Sequence, residues 1–159
     1  MYPYYNMYRN EPVQNVAMDE ELITFEHALE LIRKSIANER EDEMFYEGII
    51  AIAPTMKEKD IIASIRDDER KHHQILVDLY QKFTGNMPMQ DLSAMLEAPV
   101  TDYKAELEKA LFGELEAVKK YRKIMGAMPD AESHTLLMSI MTDEIRHANK
   151  YNFLIATAK

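Results

Sequence analysis

The chain repeats itself at a spacing of 75 residues (144 minus 69), and this duplication limits its possible folds more than any other feature. The stretch DDERKHH at 67–73 aligns with TDEIRHA at 142–148. Between residues 39 and 79, 11 of the 41 positions are identical to the residue found 75 positions later. Composition alone would produce roughly two or three identities. The sequence therefore predicts two copies of one structural unit.

Each copy has the apolar spacing of two helices. Apolar residues recur alternately three and four positions apart, which keeps them on one face of a helix, and no segment shows the period of two expected of a strand. The first two stripes are Leu22, Phe25, Leu29, Ile32, Ile36, Glu39, Glu43, Tyr46, Ile50 and Ala53, then Ile62, Ile65, Glu69, His72, Leu76, Leu79 and Phe83. The other two are Leu107, Leu111, Glu114, Val118, Tyr121, Met125 and Met128, then Leu137, Ile140, Glu144, His147, Tyr151 and Leu154.

Helix-breaking residues separate the stripes. Pro54 ends the first helix, and Thr55 to Glu58 has the form of a capping box for the second. Gly85 supplies a stop, and Pro129 with Asp130 breaks and re-caps the chain in the second copy. These signals predict an all-α, antiparallel four-helix bundle made of two duplicated helical hairpins.

The predicted organisation is a flexible, Tyr-rich arm at 1–18 followed by a bundle at 19–159. Within the bundle we expect a first hairpin at 19–84, a crossover linker at 85–100 and a second hairpin at 101–158. A helix of about 28 residues is about 42 Å long. Because 16 extended residues reach roughly 50 Å, the linker could cross the whole bundle and set the third helix parallel to the second.

Six polar residues occupy stripe positions where Leu or Ile would continue the pattern. They are Glu39, Glu69, His72, Glu114, Glu144 and His147. A buried carboxylate without a partner costs several kcal/mol, so the four glutamates of this set require positive charge between them. One Glu from each of two helices and a Glu-x-x-His from each of the others is a dinuclear carboxylate ligand set. Carboxylate and imidazole together suit iron or manganese.

With these residues the chain resembles the ferritin-like di-iron superfamily, and within it the rubrerythrin-like and bacterioferritin-like proteins, over residues 20–157. The resemblance implies that Glu39 and Glu114 are terminal ligands and that Glu69 and Glu144 bridge two metal ions. It also implies that each of the two metals is bound by one histidine.

Further residues have supporting roles by the same resemblance. Tyr46 and Tyr121 would act by hydrogen bonding or proton transfer near the metals; core packing is the alternative. Asp68 and Asp143 would hold the second nitrogen of a ligand histidine; a solvated helix face is the alternative.

Two positions fall outside the family's pattern. Glu43, whose repeat partner is Val118, could be a seventh ligand or a proton relay, or could pair with a lysine or reach solvent. Ala117 stands where similar rubrerythrins carry a further glutamate, which puts the carboxylate exchange of that residue in doubt.

Composition excludes several other classes of protein. The net charge of −9 argues against binding to nucleic acid, and the absence of cysteine excludes disulfides, iron–sulfur clusters and rubredoxin-type iron within this chain.

No secretory signal or apolar membrane span is recognised, so we expect a cytoplasmic protein. The short segment after His147 favours a homo-oligomer such as a dimer over a cage.

The resemblance implies an oxidoreductase that reduces hydrogen peroxide or dioxygen with electrons from Fe(II). It would hold two iron ions, with manganese as the alternative, and would receive electrons from an external donor protein. Three other functions stay open at this point: a ferroxidase or iron-storage protein, a non-enzymatic metal-binding structural protein, and a manganese catalase-like enzyme.

Overall fold

The structure is a computed structural model that describes residues 22–88 and 101–158, without the side chains of 38–43. The described residues form four α-helices and no strand, which confirms the predicted all-α fold. The helices are α1 (Phe25–Ile52), α2 (Met56–Thr84), α3 (Tyr103–Ala127) and α4 (Ala131–Thr157). The predicted arm at 1–18, most of the crossover, and the side chains of Glu39 and Glu43 lie outside the described residues.

The boundaries between the helices follow the predicted capping signals. The Thr55 hydroxyl accepts from the Glu58 amide at 3.2 Å, and the Glu58 carboxylate accepts from the Thr55 amide at 2.9 Å. This reciprocal pair is the capping box, and it satisfies two amides that the first turn of α2 leaves unpaired. Gly85 ends α2 with φ of 70°, a left-handed conformation in which a side chain would be strained. Asp130 caps α4.

The start of α1 differs from the prediction. The periodicity placed Leu22 on the buried stripe of a helix running from Asp19, but Leu22 precedes α1 and is 91% exposed. The Thr24 hydroxyl accepts from the His27 amide at 3.2 Å and caps the helix, so the first helical residue is Phe25. A local capping residue therefore sets this end, and the apolar spacing at Leu22 was misleading.

Two apolar clusters fill the bundle, one toward each end. The first cluster combines the start of α1 and α4 with the end of α2 and α3, and the second combines the opposite ends. Members of the first include Ile32, Leu76, Leu79, Ile124, Leu137 and Ile140, and members of the second include Ile49, Ile62, Ile65, Leu107, Tyr151 and Leu154.

This arrangement gives the topology. α2 ends at the first cluster, whereas α3 begins at the second. The chain between Gly85 and Asp102 therefore joins opposite ends of the bundle, and α3 runs parallel to α2, as the long linker predicted. α1 packs against α2 and α3, while α4 packs against α3 and α2. Among the described helices, none is long and apolar enough to cross a membrane.

The capping box gives a direct test of how α2 is positioned. Replacing Thr55 by Ala removes the acceptor of the Glu58 amide and should lower the free energy of unfolding by about 1 kcal/mol. Urea denaturation of wild type and variant in the same metal state would measure this. The matched control is Thr142→Ala, because that exposed hydroxyl only bonds a carbonyl inside α4, and its effect should stay within about 0.5 kcal/mol. Equal effects of the two substitutions would contradict the assignment.

Candidate metal centre

The polar stripe residues meet in the middle of the bundle, between the two apolar clusters. Glu69 and His72 come from α2, Glu114 from α3, and Glu144 and His147 from α4. One ligand atom from each of Glu69, Glu114, Glu144 and His147 lies within 4.8 Å of the others. His72, Glu114, Glu144 and His147 are each at least 94% buried. Helical spacing of three places each Glu–His pair on one inward face.

The two oxygens of Glu69 face different histidines. Its Oε1 lies 3.0 Å from Nδ1 of His147, and its Oε2 lies 3.2 Å from Nδ1 of His72. Glu144 repeats this arrangement from the opposite helix, with Oε2 at 3.3 Å from His147 and Oε1 at 3.6 Å from His72. Of the two described histidines of this group, Glu114 lies near His147, with its Oε2 3.6 Å from Nδ1. Glu69 and Glu144 therefore each place one oxygen near each histidine.

Several of these atoms are close together without being hydrogen bonded. Nδ1 of His147, Oε1 of Glu69 and Oε2 of Glu144 are buried and make no hydrogen bond to any described residue. Leaving a buried polar atom unpaired costs about 1–3 kcal/mol. They belong to a group of four ligand atoms, from Glu69, Glu114, Glu144 and His147, that lie within 4.8 Å of one another, close enough to hold one metal ion. Oxygen and imidazole nitrogen donors without sulfur fit iron or manganese.

The opposite nitrogen of each histidine faces an aspartate of the other hairpin. Nε2 of His72 lies 3.2 Å from Asp143, and Nε2 of His147 lies 3.4 Å from Asp68. In a neutral imidazole whose Nε2–H donates to the aspartate, Nδ1 keeps its lone pair and faces the carboxylates, where it can bind a metal ion. Asp68 and Asp143 thus lie beside histidines, as the resemblance implied. Each aspartate contacts the histidine of the other helix, so both contacts join α2 to α4.

Arg146 is a site residue that the sequence reasoning missed. Its guanidinium binds Asp68 at 2.9 Å and Asp143 at 2.8 Å, so it joins the two aspartates. Lys71 binds Asp68 at 2.8 Å. The signal was available, since Lys71 and Arg146 are both cationic and stand 75 residues apart. Burial opposes ionisation of Asp68, but Lys71 and His147 lower its pKa to about 2.

Without a metal, a proton on His147 supplies positive charge to this centre and a proton on Glu144 removes a negative charge. Burial alone would lower the pKa of His147, but the surrounding carboxylates of Glu114, Glu144 and Glu69 raise it to about 12. Burial and repulsion from Glu69 raise the pKa of Glu144 to about 8, although His147 opposes the rise. Burial also raises the pKa of Glu69, but the neighbouring His147 and His72 outweigh this effect and lower the pKa of Glu69 to about 2. A metal ion must therefore displace protons when it binds.

The predicted tyrosines lie on either side of this centre. The Tyr46 hydroxyl donates to Oε1 of Glu114 at 3.3 Å, which leaves Oε2 directed at His147. Tyr121 is 5% exposed and belongs to the first apolar cluster. Glu39, the predicted fourth glutamate, and Glu43 lie outside the side chains that the structure describes.

Solved structures share this fold. A hypothetical protein from Pyrococcus furiosus has a TM-score of 0.70 at 19% identity, over 84% of this chain and 94% of that chain. A conserved hypothetical protein from Mycobacterium tuberculosis has a TM-score of 0.69 at 14% identity, over 86% of this chain and 96% of that chain. No curated protein matches the chain. Similarity at these identities establishes the four-helix fold alone.

The sequence itself matches a family. The model of the family described as Rubrerythrin covers residues 30–155, a span that takes in most of both hairpins and every residue of the centre described above. The match and the ferritin-like fold agree with the buried carboxylate–histidine arrangement. The chain belongs to the rubrerythrin family of ferritin-like di-iron proteins.

Proposed function

We propose that this protein is a di-iron oxidoreductase that reduces hydrogen peroxide to water with electrons from Fe(II). The observation that carries the proposal is the division of the carboxylate oxygens, because Glu69 and Glu144 each place one oxygen near His72 and the other near His147. A carboxylate whose two oxygens face two imidazoles is arranged to bridge two ions.

The first metal position would use His147 Nδ1, Glu114 Oε2 and one oxygen from each bridging glutamate. The three carboxylate oxygens lie 3.0 to 3.6 Å from Nδ1 of His147, which supports this set. Tyr46 would orient Glu114 by donating to its other oxygen.

The second position would use His72 Nδ1 and the remaining oxygens of Glu69 and Glu144. We propose Glu39 as its terminal ligand, because Glu39 is the repeat equivalent of Glu114 (114 minus 39 is 75). Four carboxylates would then balance the charge of two divalent ions.

Two ferrous ions bound here would supply the two electrons that convert one peroxide and two protons into two water molecules. The chain's own residues would hold the ions together, keep both imidazoles in the tautomer that leaves Nδ1 free, and exclude water by burial. Tyr46 would keep a hydroxyl proton beside Glu114 at the edge of the centre. An external electron donor protein would restore the ferrous state, because the chain has no cysteine to hold an electron-transfer iron of its own.

We further propose a cytoplasmic homo-oligomer, with a dimer favoured over a cage. The cysteine-free composition agrees with a reducing compartment.

The reaction can be tested by loading the anaerobic protein with Fe(II) and adding peroxide or dioxygen separately. We expect peroxide to oxidise the iron at least about tenfold faster than dioxygen, measured by the near-ultraviolet absorption of the oxo-bridged ferric pair. Faster oxidation by dioxygen would instead indicate a ferroxidase. Peroxide disproportionation by the manganese-loaded protein alone would indicate a catalase. A fully loaded protein that neither oxidant oxidises would contradict both iron enzyme assignments.

The role of the aspartates can be separated from surface charge by a matched pair of variants. Asp68→Asn should weaken metal binding about 10–100-fold, because the neutral amide no longer holds the His147 imidazole as the carboxylate does. Asp67→Asn is the control, since Asp67 is an exposed neighbour whose partners are Arg66 and Arg70, and it should change affinity less than about twofold. Calorimetric titration with Mn(II), which avoids oxidation, would measure both. Equal affinities of the two variants would refute the positioning role.

A further inference from the structure

The second hairpin exposes large apolar side chains in the middle of both of its helices. On α3, Phe112 is 64% exposed and Leu115 is 41% exposed, and on α4 Met138 and Ile145 are each 46% exposed. Single apolar residues are common on protein surfaces, but several on one surface mark a site of interaction. The position of these four residues therefore decides what they mean.

On α4 they belong to an uncharged row beside α3. Asp143 and Lys150 face α2, because they contact His72 and Ser64 there. Ile145 stands two residues after Asp143, about 200° round the helix, and so lies on the flank that adjoins α3. The row through Ile145 is exposed along its length and carries no charge: Met138, Thr142, Ile145, Asn149, Asn152 and Ala156.

Two polar members of this row bond their own helix. The Thr142 hydroxyl donates to the Met138 carbonyl at 2.7 Å, and the Asn149 amide donates to the Ile145 carbonyl at 2.8 Å. Covering the row with another apolar surface would therefore leave these donors paired, which removes the usual cost of burying polar groups.

On α3 the exposed row has an apolar middle between opposite charges. The ammonium of Lys109 lies over an aromatic ring of α1. Leu115, about 240° further round the helix, therefore lies on the flank beside α4. Glu108 stands four residues before Phe112, and Lys119 stands four residues after Leu115. All four residues of this row are exposed.

The two rows meet over the metal centre. α3 and α4 are packed neighbours joined by a turn at Pro129. Leu115 precedes Pro129 by 14 residues and Ile145 follows it by 16, so the two side chains lie at nearly the same level. They directly follow Glu114 and Glu144 of the centre. We call the outer surface formed by the two rows the α3–α4 face.

The first hairpin carries charge at the equivalent positions. Leu115 aligns with Arg40, and Ile145 aligns with Arg70 (115 minus 40 and 145 minus 70 are both 75). The same structural unit therefore accepts arginine at these positions. Folding of the hairpin does not explain why only the second copy replaces both charges with exposed apolar residues.

We propose that the α3–α4 face binds the same face of a second copy of this chain about a two-fold axis. The proposal rests on the homodimer proposed above and names its interface. An axis midway between Phe112 and Leu115 sets the two α3 helices antiparallel. Phe112 of each protomer then meets Leu115 of its partner, and Glu108 of each protomer meets Lys119 of its partner. Because these opposite charges match within one surface, they favour a second copy over a protein of different sequence, such as the electron donor.

The face is also large enough for a stable dimer. α3 has 25 residues and α4 has 27 residues. Helices of this length are about 40 Å long and lie side by side over a width of about 20 Å, which gives an outer surface on the order of 800 Å². Stable interfaces bury about 800 Å² per partner.

Sedimentation equilibrium of the full-length protein in one metal state tests the face. We expect wild type to have twice the mass of the chain. Leu115→Arg combined with Ile145→Arg, which installs the residues of the first hairpin, should raise the dimer dissociation constant at least about 30-fold. Met56→Arg is the control, because Met56 is 70% exposed in the first turn of α2, and it should change the constant less than about twofold.

A charge exchange tests the antiparallel pairing. Glu108→Lys places like charges opposite each other and should raise the dissociation constant about 3- to 10-fold. Adding Lys119→Glu to the same chain restores opposite charges across the axis and should return the constant to within about threefold of wild type.

The outcomes separate this inference from the proposed function. A dimer that the two arginines do not weaken would overturn the face and leave the homodimer standing. A charge exchange that does not recover association would overturn the antiparallel pairing. A monomeric wild type would overturn the dimer and the face together, and would leave the face to the arm at 1–18 or to the donor protein. Peroxide reduction by the iron-loaded protein is measured independently of all three.

Discussion

The structure depends on the convergence of ionisable side chains inside an apolar bundle. Glu114, Glu144, His72 and His147 are almost fully buried, and Glu69 joins them, although carboxylates are costly to remove from water. Pairing among themselves does not satisfy them, because three of their buried atoms lie close together without hydrogen bonds. In the metal-free state a proton on His147 supplies positive charge between them, and a proton on Glu144 removes a negative charge. We propose that a pair of divalent ions replaces these protons, which would account for the division of the carboxylate oxygens between the two histidines.

The centre also joins the two hairpins. Because Asp68 of α2 contacts His147 of α4, and Asp143 of α4 contacts His72 of α2, each histidine is oriented by the opposite hairpin. Arg146 binds both aspartates and completes the connection. Ligand orientation therefore requires that α2 and α4 be docked, and metal binding should favour the docked state for the same reason. Among the described residues, each hairpin contributes one Glu–His pair to the centre and one aspartate that contacts the histidine of the other hairpin.

The periodicity and the duplication were sufficient to predict four helices, their order and five of the residues that meet at the centre. His72 and His147 could be separated from His73 because only they lie on an apolar stripe and match at the repeat spacing. The crossed contacts of Asp68 and Asp143 could not be predicted, because the repeat aligns the two residues without indicating which helix each one faces. Similarly, Leu22 matched the apolar stripe, but it precedes the Thr24 cap of α1 and is exposed to solvent.

The most direct test of the central claim is a count of bound iron in anaerobic protein by elemental analysis after removal of free metal. We expect about two iron ions per chain for wild type and for the exposed control Glu116→Ala, whose carboxylate is paired with Lys119 at the surface of α3. Glu144→Ala should lose the metal pair, because it would remove a bridging oxygen from both positions. A Glu144→Ala protein that still binds two iron ions would contradict the dinuclear centre described here.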